Sequence, residues 1–202
     1  MNPSLATLTV VAGAYLVGSI SFAVIVSKLF GLPDPYSYGS GNPGATNVLR
    51  TGNKAAALLT LVGDGVKGFA AVLIAYRLGV SWGDASLATA GAALAVFLGH
   101  LFPIFHRFKG GKGVSTAAGI VFGLSWQLGL ALLVVWLAVA LAFRISSLAA
   151  IVTAIAMPPL GFYFLGNWPE AWVLIPIALL LLWRHRANIR KLLAGTENKI
   201  GA

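Results

Sequence analysis

The feature that most constrains this chain is the spacing of its apolar runs. Nearly uncharged stretches recur at about 5–28, 55–78, 85–105, 126–144, 147–165 and 169–185, with a shorter apolar piece at about 114–124. A helix needs roughly 20 apolar residues to cross the hydrocarbon core of a bilayer. Lipid offers no partner to open backbone groups, so such runs span as helices. Composition agrees. The chain has 202 residues, 58% hydrophobic and 9% charged, whereas a soluble domain carries about 25% charged residues. That leaves too little polar surface to cover a soluble globule. The expected fold is all-α, a polytopic integral membrane protein. Residues 1–202 form one membrane-embedded domain, because the loops are too short to fold alone.

Charge sets the number of spans and their direction. The piece at 114–124 covers only about half the hydrocarbon core at 1.5 Å per residue. Counting it as a span gives seven helices, one of them short; omitting it leaves a re-entrant segment. With seven and the N-terminus outside, the inner side holds Lys28, Arg50, Lys54, Arg107, Lys109, Lys112, Arg144, Arg184, Arg186, Arg190, Lys191 and Lys199. The outer side holds Arg77, and Lys67 falls within a span. With six, the bases of the tail move outside and the bias weakens. The positive-inside rule therefore favours seven helices with a cytoplasmic C-terminus. No base precedes the first apolar run and Lys28 follows it, which predicts a retained helix rather than a cleaved signal. No internal repeat is visible, so an inverted-repeat transporter has little support.

The composition narrows the chemistry. There are no cysteines, which excludes disulfides, a thiol nucleophile and Cys-ligated metals. His100 and His106 flank the end of the third run without acids at ligand spacing, so no metal site is expected. The net charge of +9 points to anionic lipid heads or anionic substrates. Nucleic acid is disfavoured, because the bases are dispersed in short loops rather than set in a stripe.

Three polar segments fall on the inner side: 31–54, 106–116 and 184–202. The first contains "YGSGNPGATNVLRTGNK" at 38–54. Gly39, Gly41 and Gly44 let backbone N–H groups approach a ligand, and successive N–H groups form anion-binding nests. Ser40, Asn42, Thr46 and Asn47 add neutral hydrogen-bonding groups. Arg50 adds a planar fork that matches phosphate oxygens. The segment reads as an anion cradle, although it has neither Walker A nor G-x-G-x-x-G spacing. The alternative is an ordinary connector, with Arg50 reaching lipid phosphates. The second segment, "FKGGKGVSTAAG", sets Gly110, Gly111 and Gly113 around Lys112 and places Ser115 and Thr116 in the first turn of a short helix. A helix N-terminus accepts phosphate readily; the alternative is a basic turn obeying the inside rule. In the third, "LLWRHRANIRKLLAGTENKIG", His185 and Asn188 share a helix face and Glu197 is the carboxylate of the tail. Arg184, Arg186, Arg190 and Lys191 are placed to attract anionic headgroups, at about 1 kcal/mol each. Asp64 and Lys67 fall mid-span at i, i+3 spacing. They read either as functional groups or as a structural pair.

The strings "GSGNPGATNVLR", "GDGVKG", "HLFPIFHRFKGGKGVSTAAG" and "RHRANIRKLLAGTENKIG" occur in that order over nearly the whole chain. Together they resemble the bacterial acyl-phosphate:glycerol-3-phosphate acyltransferases, membrane enzymes of phospholipid biosynthesis. The resemblance implies seven helices in the bacterial inner (plasma) membrane and a site facing the cytoplasm. It implies acyl phosphate and glycerol 3-phosphate as substrates, with lysophosphatidate (1-acylglycerol 3-phosphate) and phosphate as products. By it, Ser40 and Arg50, Lys112 with its glycines, and His185, Asn188 and Glu197 belong to the site. No cofactor and no obligate protein partner are expected; membrane lipids surround the chain.

The residues themselves are compatible with that chemistry. Two phosphorylated substrates bring up to about four negative charges together, and each unit pair is worth about 4 kcal/mol at about 4 Å and an effective dielectric near 20, before desolvation. Arg50, Lys112 and Lys67 with the loop N–H groups supply the opposite sign. Acyl phosphate is a mixed anhydride with a good leaving group, so direct attack by the acceptor hydroxyl suffices. Ser40 is expected to orient phosphate without being acylated, since no Ser-His-Asp arrangement can be named. The base is either a substrate phosphate oxygen or His185. The positions five after each histidine are Phe105, Gly111 and Arg190. The His-x4-Asp pattern of acyltransferases that use thioester donors is thus absent, which disfavours acyl-CoA. The rivals are a transporter for a phosphorylated solute, against which the plain outer loops count, and a non-catalytic membrane scaffold.

Overall fold

The computed structural model describes residues 3–200. Every regular element among them is helical: α1 (Pro3–Gly18), α2 (Phe22–Leu29), α3 (Ala45–Leu49), α4 (Lys54–Trp82), α5 (Ala85–Leu101), a single 3-10 turn (Ile104–His106), α6 (Val114–Leu124), α7 (Trp126–Phe143), α8 (Ser146–Leu165), α9 (Pro169–Trp172), α10 (Leu174–Arg184) and α11 (Arg186–Leu193). Among the described residues, α4, α5 with its following turn, α7 and α8 are each long and apolar enough to cross a membrane, and α1 with α2 makes a fifth if the bent pair is one span. The protein is an all-helical integral membrane protein with several spans. Large apolar side chains lie exposed on its surface, among them Leu58, Val80, Val134, Leu141 and Ile155, an area of hydrocarbon suited to contact with lipid.

Two of the expected spans take a different form. The run at 5–28 is broken between α1 and α2, which bend by 40°. The run at 169–185 divides into α9 and α10, of 4 and 11 residues. The short piece is helical as expected, with 11 residues in α6.

The break in the first run has a tertiary cause. Ser19 is fully buried; its hydroxyl donates to the Tyr15 carbonyl at 2.9 Å and accepts the Ile104 N–H at 3.3 Å. The interruption leaves the Ile20 carbonyl open, and Lys67 of α4 donates to it at 2.7 Å. Lys67 also pairs with Asp64, one turn earlier, at 2.9 Å. The two intramembrane charges therefore neutralise each other, and the ammonium closes a backbone acceptor that hydrocarbon would leave unpaired.

Close backbone contact then fixes the polar loops. On the α4–α6 interface, a Cβ on Gly68 would run into the Thr116 carbonyl and one on Gly119 into the Gly65 carbonyl. On the α1–α5 interface, Gly18 meets Val96 and Gly99 meets Tyr15 in the same way. Small residues let membrane helices approach to backbone distance. The enclosed helix is α5, which contributes Val96, Phe97 and Leu101 to a core completed by Ile120, Leu128, Leu174 and Ile177. Its C-terminal end and the start of α6 are held together at one end of the bundle. Trp82, Trp168 and Trp172 lie at the other end, where Ser86 at the start of α5 donates to Glu170 of α9 at 2.5 Å.

Candidate active site

The first polar loop is organised around Asn47. Its carboxamide oxygen accepts the Ser40 N–H at 3.0 Å, and its nitrogen donates to the carbonyls of Pro35 and Tyr38 at 2.9 and 3.2 Å. Gly39 sits at φ 59°, and a Cβ there would overlap the Asn47 carboxamide, so glycine is required on both counts. The short helix α3 is followed by Arg50, an exposed residue that borders a cleft. Tyr36 ties this loop to the second by donating to the Lys109 carbonyl at 2.6 Å.

The second loop lies against the end of α5. The Gly111 N–H donates to the His100 carbonyl at 3.1 Å, and a Cβ on Gly110 or Gly111 would strike His100. Two carbonyls of the loop accept from Arg184: Gly110 at 2.6 Å and Gly111 at 3.0 Å. Gly113, at φ 87°, caps α6 with no room for a side chain beside Phe97. Lys112 is half-buried between these glycines and donates to Asn188 Oδ1 at 2.7 Å. Asn188 Nδ2 donates to Glu197 Oε1 at 2.8 Å, and Ser147 of α8 donates to the same oxygen at 2.9 Å. Burial holds the Lys112 ammonium below the usual lysine range. Glu197 acts to raise it, while Arg184, Lys191 and Arg50 push it down. Four cations from the three polar segments thus converge on a place where Glu197 supplies the opposing charge.

His185 is buried between α10 and α11. Its Nδ1 lies 2.8 Å from the Leu181 carbonyl. A carbonyl only accepts, so in the neutral ring Nδ1 carries the proton and Nε2 keeps its lone pair.

These groups border one cleft of about 860 Å³. Ser40, Asn42, Thr46, Arg50, Lys112, His185, Asn188 and Glu197 line its polar end. Phe69, Phe122, Leu132, Trp136, Ala150 and Met157, from α4, α6, α7 and α8, line an apolar extension. The arrangement offers cationic and hydrogen-bonding groups to a phosphorylated head and hydrocarbon to a tail.

Several expected residues contribute differently. Lys67 does not line the cleft; its ammonium is engaged by the Ile20 carbonyl and by Asp64, which itself borders the cleft with His100. Thr116 is fully buried and bonds His100 Nδ1 at 3.2 Å. Ser115 borders the cleft but donates its hydroxyl proton to the Leu61 carbonyl at 2.5 Å. Asn47 borders it with its amide spent on its own loop. Gly39, Gly41, Gly110 and Gly111 shape the loops without lining the cleft, whereas Gly44 and Gly113 line it. Sequence reasoning missed Ser147, Lys191, Asn198 and Lys199, which also border the cleft. Lys191 and Lys199 carried a signal as bases of an inner-side tail; Ser147 carried none, lying at the start of an apolar run.

The model of the glycerol-3-phosphate acyltransferase family matches residues 8–195. The chain belongs to the glycerol-3-phosphate acyltransferase family. It is 60% identical over 190 residues to the glycerol-3-phosphate acyltransferase of Cupriavidus metallidurans, covering 93% of each chain. It is 54% identical over 201 residues to that of Ralstonia nicotianae, covering 100% of this chain and 97% of the relative. Among solved structures it is similar to PlsY (YgiH), an integral membrane glycerol 3-phosphate acyltransferase. The glycerol 3-phosphate form matches with a TM-score of 0.87 and 40% identity over 96% of both chains. The lysophosphatidic acid form matches with a TM-score of 0.85. This protein is therefore a membrane acyltransferase. The cleft joins the strings that the family resemblance rested on.

Proposed function

We propose that the acyltransferase moves a fatty acyl group from acyl phosphate to the 1-hydroxyl of glycerol 3-phosphate, releasing lysophosphatidate and inorganic phosphate for phospholipid synthesis. The observation that carries the reading is the convergence of Arg50, Lys112 and Lys191 at the polar end of a cleft whose other end is hydrocarbon. The relatives' shared description and the glycerol 3-phosphate and lysophosphatidic acid forms of PlsY support the acceptor and the product.

In this reading Lys112 and Arg50 hold phosphoryl oxygens, and the donor's tail lies along Phe122, Leu132 and Met157. The acceptor's 1-oxygen attacks the acyl carbonyl carbon. The new ester C–O bond forms, the bond from carbonyl carbon to phosphate oxygen breaks, and the electron pair leaves with phosphate. The hydroxyl proton goes to His185 Nε2, the ring nitrogen left free by the Leu181 contact, or to a phosphate oxygen of a substrate. Ser40 orients phosphate through its hydroxyl and is not acylated. No step requires a cofactor or a metal.

The membrane orientation follows charge. In this reading the chain crosses seven times, once through short α6, and the positive-inside rule favours the cytoplasmic face of the bacterial inner membrane for the cation-rich end and the cleft. Trp82, Trp168 and Trp172 with Asp84 and Glu170 would then lie at the outer interface.

The test is a transfer assay with purified protein in detergent and labelled glycerol 3-phosphate, comparing acyl phosphate with acyl-CoA. The reading expects lysophosphatidate and phosphate, one for one, from acyl phosphate alone. Product from acyl-CoA but not from acyl phosphate would overturn the donor assignment.

A further inference from the structure

Arg184 was expected among the bases that face lipid headgroups. Its guanidinium instead turns inward. Nε donates to the Gly111 carbonyl at 3.0 Å and one terminal nitrogen to the Gly110 carbonyl at 2.6 Å. Its neighbour Arg186 is exposed, lies 4.6 Å over the Trp183 ring and donates to the Trp183 carbonyl at 3.2 Å. Two arginines two residues apart therefore do different things.

We propose that Arg184 is a positioning residue that sets the loop for phosphate binding, acting through Lys112 rather than touching substrate; this rests on the reading of the cleft as a phosphate site. The geometry follows from planar trans peptides, in which N–H and C=O point opposite ways. The Gly111 carbonyl belongs to the same peptide as the Lys112 N–H. Pinning that carbonyl toward α10 turns the Lys112 N–H away from Arg184. The preceding peptide is held at both ends: its carbonyl by Arg184, and its N–H, that of Gly111, by the His100 carbonyl at 3.1 Å. The loop has glycines at 110, 111 and 113, so its own backbone preferences fix little. Its conformation is set from outside, by α5 on one side and the Arg184 fork on the other. The same fork fastens the end of α10, which bears His185, to the loop that bears Lys112. Two adjacent carbonyls match the rigid spread of a guanidinium; an ammonium is a point donor and holds one of them well.

The experiment compares Arg184→Lys, Arg184→Gln and Arg186→Gln in purified detergent-solubilised enzyme, with thermal midpoints as a folding control. Misplacing a binding group by about 1 Å costs up to about 100-fold. Arg184→Gln is expected to raise the KM for glycerol 3-phosphate or the inhibition constant for inorganic phosphate by about 10- to 100-fold. Arg184→Lys is expected to fall between Gln and wild type, and Arg186→Gln to stay within twofold. In a Lys112→Gln background, Arg184→Gln should add less than threefold to the dissociation constant of glycerol 3-phosphate measured by calorimetry. If Lys112→Gln abolishes measurable binding, the order of the Arg184 variants with unchanged thermal midpoints decides. Equal losses from Arg184→Gln and Arg186→Gln would mean a headgroup role. Full additivity with Lys112→Gln, or an Arg184→Lys enzyme no better than Arg184→Gln, would overturn the inference. An inactive wild type toward acyl phosphate would instead overturn the donor assignment.

Discussion

Replacing Lys112 by Met keeps the length of the side chain and removes its charge. In the structure its ammonium donates to Asn188 at 2.7 Å and lies in a cleft shared with Arg50 and Lys191. A hydrogen bond to a charged group contributes about 1.5–3 kcal/mol net. At about 1.4 kcal/mol per decade, loss of one such bond to phosphate weakens binding by about 10- to 150-fold. The assay is initial rate against glycerol 3-phosphate concentration, at saturating acyl phosphate. The expected result is a KM raised by that factor, with kcat falling less. The pH dependence gives a second signature. Under the proposed role, phosphate binding needs the charged ammonium, which is present below its pKa and lost above it. Burial holds that pKa below the usual lysine range. Wild-type affinity for glycerol 3-phosphate should therefore decline on the alkaline side at a lower pH than an ordinary lysine would give. A Lys112→Arg enzyme, whose charge persists, should move that decline upward. A Lys112→Met enzyme with KM within twofold of wild type would refute the role. So would an alkaline limb that Lys112→Arg leaves in place.

Asn47→Ala removes three hydrogen bonds that hold the first loop; at roughly 1 kcal/mol each, the thermal midpoint and activity should both fall, and an unchanged melting curve would show that the loop holds itself. Intact mass spectrometry after incubation with acyl phosphate should find no acyl adduct on Ser40; a trapped adduct there would replace direct transfer by a covalent route. Because the chain has no cysteine, a single Lys109→Cys or Asn167→Cys gives an unambiguous label. A membrane-impermeant maleimide should modify position 109 only in inside-out vesicles and position 167 only in right-side-out ones; the reverse pattern would invert the orientation.

The long crossing helices were legible because a bilayer imposes length and apolarity together. α4, α5, α7 and α8 begin and end within a few residues of the apolar runs, and Asn53 and Ser125 cap α4 and α7 with their side chains. The break after α1 was not legible. The residues Ser19 to Ser21 sit in an apolar run without proline, and the partner that stabilises the gap, Lys67, is on another helix. The three polar segments were read as converging, and they do. Within them, spacing could not tell a side chain aimed at a ligand from one spent on its own backbone. Asn47 and Ser115 look like phosphate donors in the sequence but satisfy carbonyls of the protein. Arg184 sits in a basic cluster, and nothing in its neighbours announces that it alone turns toward Gly110 and Gly111.

The proposed function requires cations from separate polar loops to hold substrate phosphate in one cleft. A crystal structure of this acyltransferase with glycerol 3-phosphate bound would decide it. Phosphate oxygens are expected within hydrogen-bonding reach of Lys112 and Arg50, with the 1-hydroxyl toward the apolar extension and His185. A phosphate bound on another face, with Lys112 still donating only to Asn188, would contradict it.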